Sequence, residues 1–299
     1  SRATRPEQFH VRGVGGGAES RSDTRRPRAI RNAFAGRRVR SGMDDHRQLG
    51  EERARVRIAV ASRVGVVIAR IGGDRVGEFA LEHRCVARDV AATDDRFAVA
   101  TPEDVLVGES ASPTGFGPAS AVSIDDAAVV AVGPEGAVGR YDGAWTDAGR
   151  IESAVRAADG DLIAAAGGVF AADGARLGLD DVRDVAADGW AATGDGLYRR
   201  ADGEWTRERD GDFVAVTTAG DRVIAATADA VTVRRDGSWT HTETPVSEPV
   251  ADVGTASGLL AVTEAGTVLV DAGDGWRSRS LGVPEVRRLA TLGAEHKRI

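Results

Sequence analysis

The chain has 299 residues, enough to bury a substantial core, and is 42% hydrophobic but only 5% aromatic. Its formal net charge is −7, but residues 1–42 carry 11 Arg against three acids, which leaves about −15 on residues 43–299. The single cysteine, Cys85, excludes an internal disulfide and a cysteine metal cluster, and no stretch approaches the ~20 apolar residues of a membrane span.

Arg outnumbers Lys 38 to 1, and Asp and Glu crowd the turns. An acidic surface keeps a protein soluble by self-repulsion, so the composition points to a salt-rich cytoplasm and to a GC-rich genome. An acidic body argues against binding a phosphate backbone, which needs clustered cations.

Residues 1–42 show no hydrophobic periodicity and no signal-peptide apolar stretch, and Arg25-Arg26 is not followed by an apolar run. High charge with little apolar content predicts disorder there. The segment reads either as a basic tail for nucleic acid or an acidic partner, or as translation upstream of a true start at Met43. The second reading is the stronger, because Met43 is the only methionine. Residues 43–54 form a polar lead-in, and residues 293–299 a tail.

From residue 57 onward one short pattern recurs, an apolar run closed by a small residue. It reads RIAVA (57–61), RFAVAT (96–101), VVAVG (129–133), LIAAA (162–166), WAAT (190–193), VIAAT (223–227) and LLAVT (259–263). Successive copies end 40, 32, 33, 27, 34 and 36 positions apart, a period that marks a repeat architecture. Residues 182–209 show the unit most cleanly, as strands VRDVAA, WAAT, LYRRA and EWTRER joined by Asp-Gly or Gly-containing turns. That is a four-stranded antiparallel meander. An outer hairpin recurs as RYDGAWT (140–146), FAADGAR (170–176), RRADGEWT (199–206), VRRDGSWT (233–240) and DAGDGWR (271–277). Trp145, Trp205, Trp239 and Trp276 follow these turns and are expected to pack each outer strand against the next unit, not to form a ligand surface.

The innermost strands are VARDVAA (86–92), ASAVSI (119–124), SAVRAA (153–158), VRDVAA (182–187), FVAVTT (213–218), VADVGT (250–255) and EVRRLAT (285–291). The first apolar run has no innermost strand before it, and the last innermost strand has no apolar run after it. A ring in which the C-terminal strand completes the first unit resolves both, and it removes exposed sheet edges. The expected fold is therefore all-β, a seven-bladed β-propeller over residues 55–292, with four-stranded antiparallel blades. The long insertion at 108–118 leaves six or eight blades open.

The short DG-x-W outer hairpin and the acidic, lysine-poor composition resemble a family of haloarchaeal β-propeller proteins of unknown function. The match is not to true WD40 repeats, since the Gly-His start and Trp-Asp strand end are missing. The resemblance therefore implies a fold and carries no catalytic or binding residue with it.

Catalytic signatures are sparse. The five histidines, His10, His46, His83, His241 and His296, form no HxH or HExxH pair, and no DxDxDG calcium spacing occurs. Ser110 lacks a GxSxG context, and GVGGG (13–17) neither follows a strand nor opens a helix. No cofactor is expected. Cys85 reads as a buried structural thiol. One constellation stands out: Asp89, Asp184 and Asp252 on innermost strands, with Arg88 and Arg183 before two of them and Arg288 at the matching place in the last strand. Facing a central channel, these six residues form a candidate site for a small polar ligand or a cation, or else they bridge blades. The 108–118 loop is the second place to look. The functional expectation is a non-enzymatic, cytoplasmic scaffold for a protein partner, the alternative being a channel-site enzyme or a small-ligand or metal sensor.

Overall fold

The computed structural model describes residues 55–126 and 128–294, and all the regular structure among them is β-strand. Readings that fall on residues 1–54 and 295–299 lie outside the described residues. Twenty-eight strands form seven separate four-stranded sheets. The expected blade count of seven is therefore the observed one.

The four strand positions differ in burial, and this is what the sequence pattern encodes. Second strands such as Phe97–Ala100 and Trp190–Thr193 are buried at every residue, so they read as continuous apolar runs, not alternations. Outer strands such as Glu204–Asp210 and Ser238–Glu243 are mostly exposed, so apolar content there shrinks to one tryptophan. The Asp-Gly turns divide into two kinds. At Asp202-Gly203 and Asp236-Gly237 both residues have positive φ, the type I′ geometry that matches hairpin twist. At 142–143, 173–174 and 188–189 only the glycine does.

Blade 1 is assembled from both ends of the described chain. Its inner strand is Val286–Ala294, which pairs antiparallel with Val56–Ser62, with Val60 opposite Leu289 and Ala61 opposite Arg288. Blades 2 to 7 follow in chain order, with inner strands Asp89–Ala92, Ala121–Asp125, Val155–Asp159, Val182–Ala186, Ala215–Ala219 and Val250–Thr255. The circular shift inferred from strand counting is the one observed.

The core is not one mass but seven clusters, each lying between two neighbouring blades. The closing interface, between blades 7 and 1, joins Ile58, Val60 and Ile71 to Leu260, Val262 and Val270, all fully buried. Each such side chain contributes ~1.5–3 kcal/mol on burial, so closure rests on packing as much as on strand pairing. Hydrogen bonds reinforce it, from Arg279 Nη1 to the Val76 carbonyl at 2.9 Å and from Ser257 Oγ to the Gly73 carbonyl at 2.6 Å.

The outer tryptophans pack between blades, but against the preceding unit and not the next. Trp239 of blade 6 meets Trp190 of blade 5 edge-on at 6.1 Å, and Trp205 Nε1 donates to the Leu177 carbonyl of blade 4 at 3.0 Å. Trp145 of blade 3 lies 4.5 Å from Phe116, which belongs to the 108–118 insertion. That insertion contains the short outer strand Ser112–Pro113 of blade 2, and its remainder folds onto Asp104. The Asp104 carboxylate accepts N–H bonds from Val105 (2.8 Å), Gly115 (2.8 Å) and Gly117 (3.0 Å). Partial burial raises its pKa, but these donors outweigh that and hold it below the ordinary carboxylate range. The loop is thus a packing element tied to blade 3. Cys85 is half-buried against the blade 1–2 core, less enclosed than expected, because it lies just before the inner strand of blade 2 begins.

Candidate functional site

Strand register identifies seven equivalent positions around the channel. Asp89 faces Ala100, Asp184 faces Ala192, Asp252 faces Val262 and Arg288 faces Ala61, each pairing one residue short of the end of the second-strand apolar run, or on its last residue in blade 1. Blades 3 and 6 place Ala121 and Ala215 there, and blade 4 has Ala157, opposite Ala164, one residue further back in its run. Arg288 therefore stands where the other charged blades carry an aspartate. The residues matching Arg88 and Arg183 are Arg156 and Arg287, which sequence reading passed over. Alignment of all seven inner strands at the aspartate would have exposed both.

The aspartates are struts between blades. Asp89 Oδ2 accepts from Val122 N at 3.0 Å, Asp184 Oδ2 from Val216 N at 2.8 Å and Asp252 Oδ2 from Leu289 N at 2.8 Å, in each case the following blade. Asp89 and Asp252 also accept through Oδ1 from the next residue on their own strand, both at 2.8 Å. Arg288 extends across the channel. Its Nη1 lies 3.4 Å from Asp184 and 3.9 Å from Asp252, and its Nη2 donates to the carbonyls of Arg156 (3.3 Å) and Arg183 (3.4 Å) on blades 4 and 5. Alanine at the other ring positions leaves room for so long a side chain.

One cation thus serves three buried carboxylates. Burial pushes Asp89 up to about 7, against the lowering effect of Arg288 and two N–H donors. Asp184 is likewise pushed up to about 7 and Asp252 to about 6, burial again outweighing Arg288. Burial alone would lower Arg288, but the three carboxylates reverse that and keep the guanidinium charged. Among the described residues, no group of three or more His, Cys, Asp or Glu is arranged to hold a metal ion.

Arg288 divides the channel. The side lined by Asp89, Asp184, Asp252, Ser123 and Thr255 is a cavity of about 320 Å³, and the opposite mouth, about 450 Å³, is lined by Arg88, Arg156, Arg287 and Ser120. Arg288 borders both. Arg183 lines neither, because it turns outward to pair with Asp212. The six candidate residues are therefore split between two chambers and the rim.

These observations establish a closed seven-bladed ring with a charged septum. The family model described as "Beta-prop_HVO_0234:-like, beta propeller" matches residues 42–292. The chain belongs to this β-propeller family. The resemblance read from its repeats holds at that level. Comparison with curated proteins finds no match. Among solved structures, the computationally designed Ika8 protein is similar at 14% identity and a TM-score of 0.56, over 80% of this chain and 90% of that one. The extracellular domain of the hybrid two-component system BT4673 from B. thetaiotaomicron is similar at 11% identity and a TM-score of 0.50, over 83% of this chain and 46% of that one. At such identities the likeness shows the fold alone.

In this family member a further concavity lies outside the channel, between blades 1 and 2. It measures about 930 Å³, with Ile68, Phe79, Phe97 and Leu292 among its apolar lining and Glu78 and Arg96 among its charged lining. Its origin is local. The outer strand of blade 1 runs Arg75–His83, while that of blade 2 is only Ser112–Pro113, so the longer strand lacks a full neighbour. Sequence reading missed this groove, although the 108–118 insertion, which has no Asp-Gly turn where later units have one, was its signal.

Proposed function

We propose that this propeller is a non-enzymatic scaffold that binds a protein partner in a salt-rich cytoplasm. The observation that carries the reading is the commitment of the channel carboxylates. Asp89, Asp184 and Asp252 each accept a backbone N–H of the next blade, so one oxygen of each already ties the ring together. A general base or metal ligand needs a free lone pair facing its substrate. The groove between blades 1 and 2 offers the complementary feature, an apolar floor with both charges around it, suited to an apolar side chain flanked by mixed charge.

The test is affinity capture of the full chain and of Ala80→Arg, which fills the groove from an exposed position of the blade 1 outer strand. A single partner that re-forms a stoichiometric complex when purified, and is lost in Ala80→Arg, is the expected result. A complex indifferent to that substitution, or no complex, overturns the groove reading.

A channel-site enzyme or sensor is the second reading. The elevated carboxylates favour it, since perturbed titration gathers at functional sites. Metal or small molecule carried through purification and displaced by Asp89→Ala would decide for it.

A further inference from the structure

The position just before the ring aspartates carries a second pattern, Arg88, Ser120, Arg156, Arg183, Val214, Ala251 and Arg287 in blades 2 to 7 and then 1. Arginine fills four of these seven places in a chain whose body is strongly acidic. In blades 4, 5, 7 and 1 the strand register slips at this residue, so that it has no partner opposite. Such bulges re-aim a side chain away from the regular sheet face. Arg156, Arg183 and Arg287 all sit at these slips.

Three of the four arginines, Arg88, Arg156 and Arg287, line one mouth of the channel, together with the hydroxyl of Ser120. Their donors are only partly used. Arg88 gives one Nη1 hydrogen bond to the Ala119 carbonyl at 3.0 Å. Arg156 pairs with Asp181 at 2.7 Å through the same Nη1 that reaches the Val182 carbonyl. Arg287 is exposed and makes no ion pair with any described residue. Arg288 closes the floor of the chamber, with its guanidinium already engaged by Asp184 and by two carbonyls. Glu264 is the one acid lining the chamber, and it is exposed at the rim.

We propose that this arginine-lined mouth binds a small multivalent oxyanion, either a phosphate or a polycarboxylate. Guanidinium groups present paired N–H donors that match two oxygens of such a group, and several arginines converging on one cavity favour more than one negative charge. The chamber, at about 450 Å³, falls in the size range of small-ligand pockets. The septum limits the ligand to this side, so it need not compete with the three aspartates for Arg288. The inference is independent of the scaffold reading. Anion binding without a partner, and a partner without anion binding, are separately measurable.

The test is calorimetric titration of the full chain with inorganic phosphate, pyrophosphate and citrate, at one fixed potassium chloride concentration. Saturable one-site binding of at least one probe is expected, and the preferred probe tells phosphate from carboxylate. Affinity should fall about tenfold or more in Arg287→Gln, and again in Arg88→Gln, because each removes a charged donor. Arg235→Gln, on an exposed strand end of blade 6, should leave it unchanged. No saturable binding by any probe overturns the proposal, as does binding that survives both mouth variants or falls equally in Arg235→Gln. Arg287 is exposed, so that variant should fold even if Arg88→Gln does not, and a matching near-UV circular dichroism spectrum verifies it.

Discussion

Replacing Arg288 with Met removes the cation that serves three buried carboxylates while keeping most of the side chain's length. Its side chain is only 13% exposed and that of Asp184 only 9%, so solvent offers little relief. Breaking a buried pair from one side costs about 3–5 kcal/mol, because the remaining charge stays buried and uncompensated. For a body of this size each kcal/mol shifts the thermal midpoint by about 2–4 °C, so the variant should melt roughly 10 °C lower at pH 8. The loss should depend on pH. Arg288 lowers all three carboxylates, so without it they protonate at higher pH than their present values of about 7, 7 and 6. By pH 5 the variant's carboxylates are neutral and most of the deficit disappears. Adding Asp184→Asn should recover part of the loss at pH 8, because the amide oxygen can still accept from Val216 N while its nitrogen replaces the oxygen that faced Arg288. Thermal unfolding followed by circular dichroism from pH 5 to pH 8 reads both variants against the unsubstituted chain. An equal deficit at pH 5 and pH 8 would show that Arg288 acts by packing and not by charge, and would refute the reasoning.

The unsubstituted chain should carry the same signature more weakly. The folded values of Asp89, Asp184 and Asp252 lie above their ordinary 3.8, so their contribution is full below that value and is lost as pH rises through about 6 to 7. Urea midpoints at pH 5 and pH 8 measure it, the higher being expected at pH 5. Gly136→Ala should be far more damaging than Gly143→Ala. Both have φ +85°, but a Cβ at 136 meets the Ile151 carbonyl oxygen at 1.8 Å, whereas at 143 it meets open space. About 1 kcal/mol is expected at 143 and several at 136, read by urea denaturation. Trp239→Ala should cost about 2 kcal/mol, below the full core value because the side chain is only half-buried, and should red-shift the fluorescence of Trp190.

The fold was legible because it is written seven times. A period of 27–40 residues and Asp-Gly turns between apolar runs leave few architectures, and the orphaned run at 57–61 and orphaned strand at 285–291 demand closure. What repetition does not encode is direction and depth. The tryptophans recur in register whether they pack forward or back, and only the structure shows Trp239 against Trp190 of the preceding blade. The channel site was half legible. Asp89, Asp184 and Asp252 were visible as a set, yet Arg156 and Arg287 were not, since neither precedes an aspartate: alanine and Arg288 follow them. An aspartate in a strand also looks the same in sequence whether it awaits a ligand or holds a neighbouring backbone.

That last ambiguity has an experimental answer in the choice of substitution. Asp252 accepts two backbone donors, Val253 N through Oδ1 and Leu289 N through Oδ2, both at 2.8 Å. A protonated carboxyl can still serve both, because its hydroxyl oxygen accepts while its hydrogen points elsewhere. An asparagine cannot, because in either orientation its NH2 meets an N–H donor. If Asp252 is a strut, Asp252→Asn leaves a buried donor unsatisfied at the closing interface and should cost about 1–3 kcal/mol, close to the cost of Asp252→Ala. A carboxylate kept only for a ligand behaves in the opposite way, since its amide isostere relieves buried charge and leaves the fold as stable or more so. The urea midpoints of the two variants, measured side by side, therefore separate a structural ring from a binding one without any ligand in hand. A stabilised Asp252→Asn would contradict the strut assignment at blade 7 and make the aspartate-lined side of the channel a candidate binding site as well.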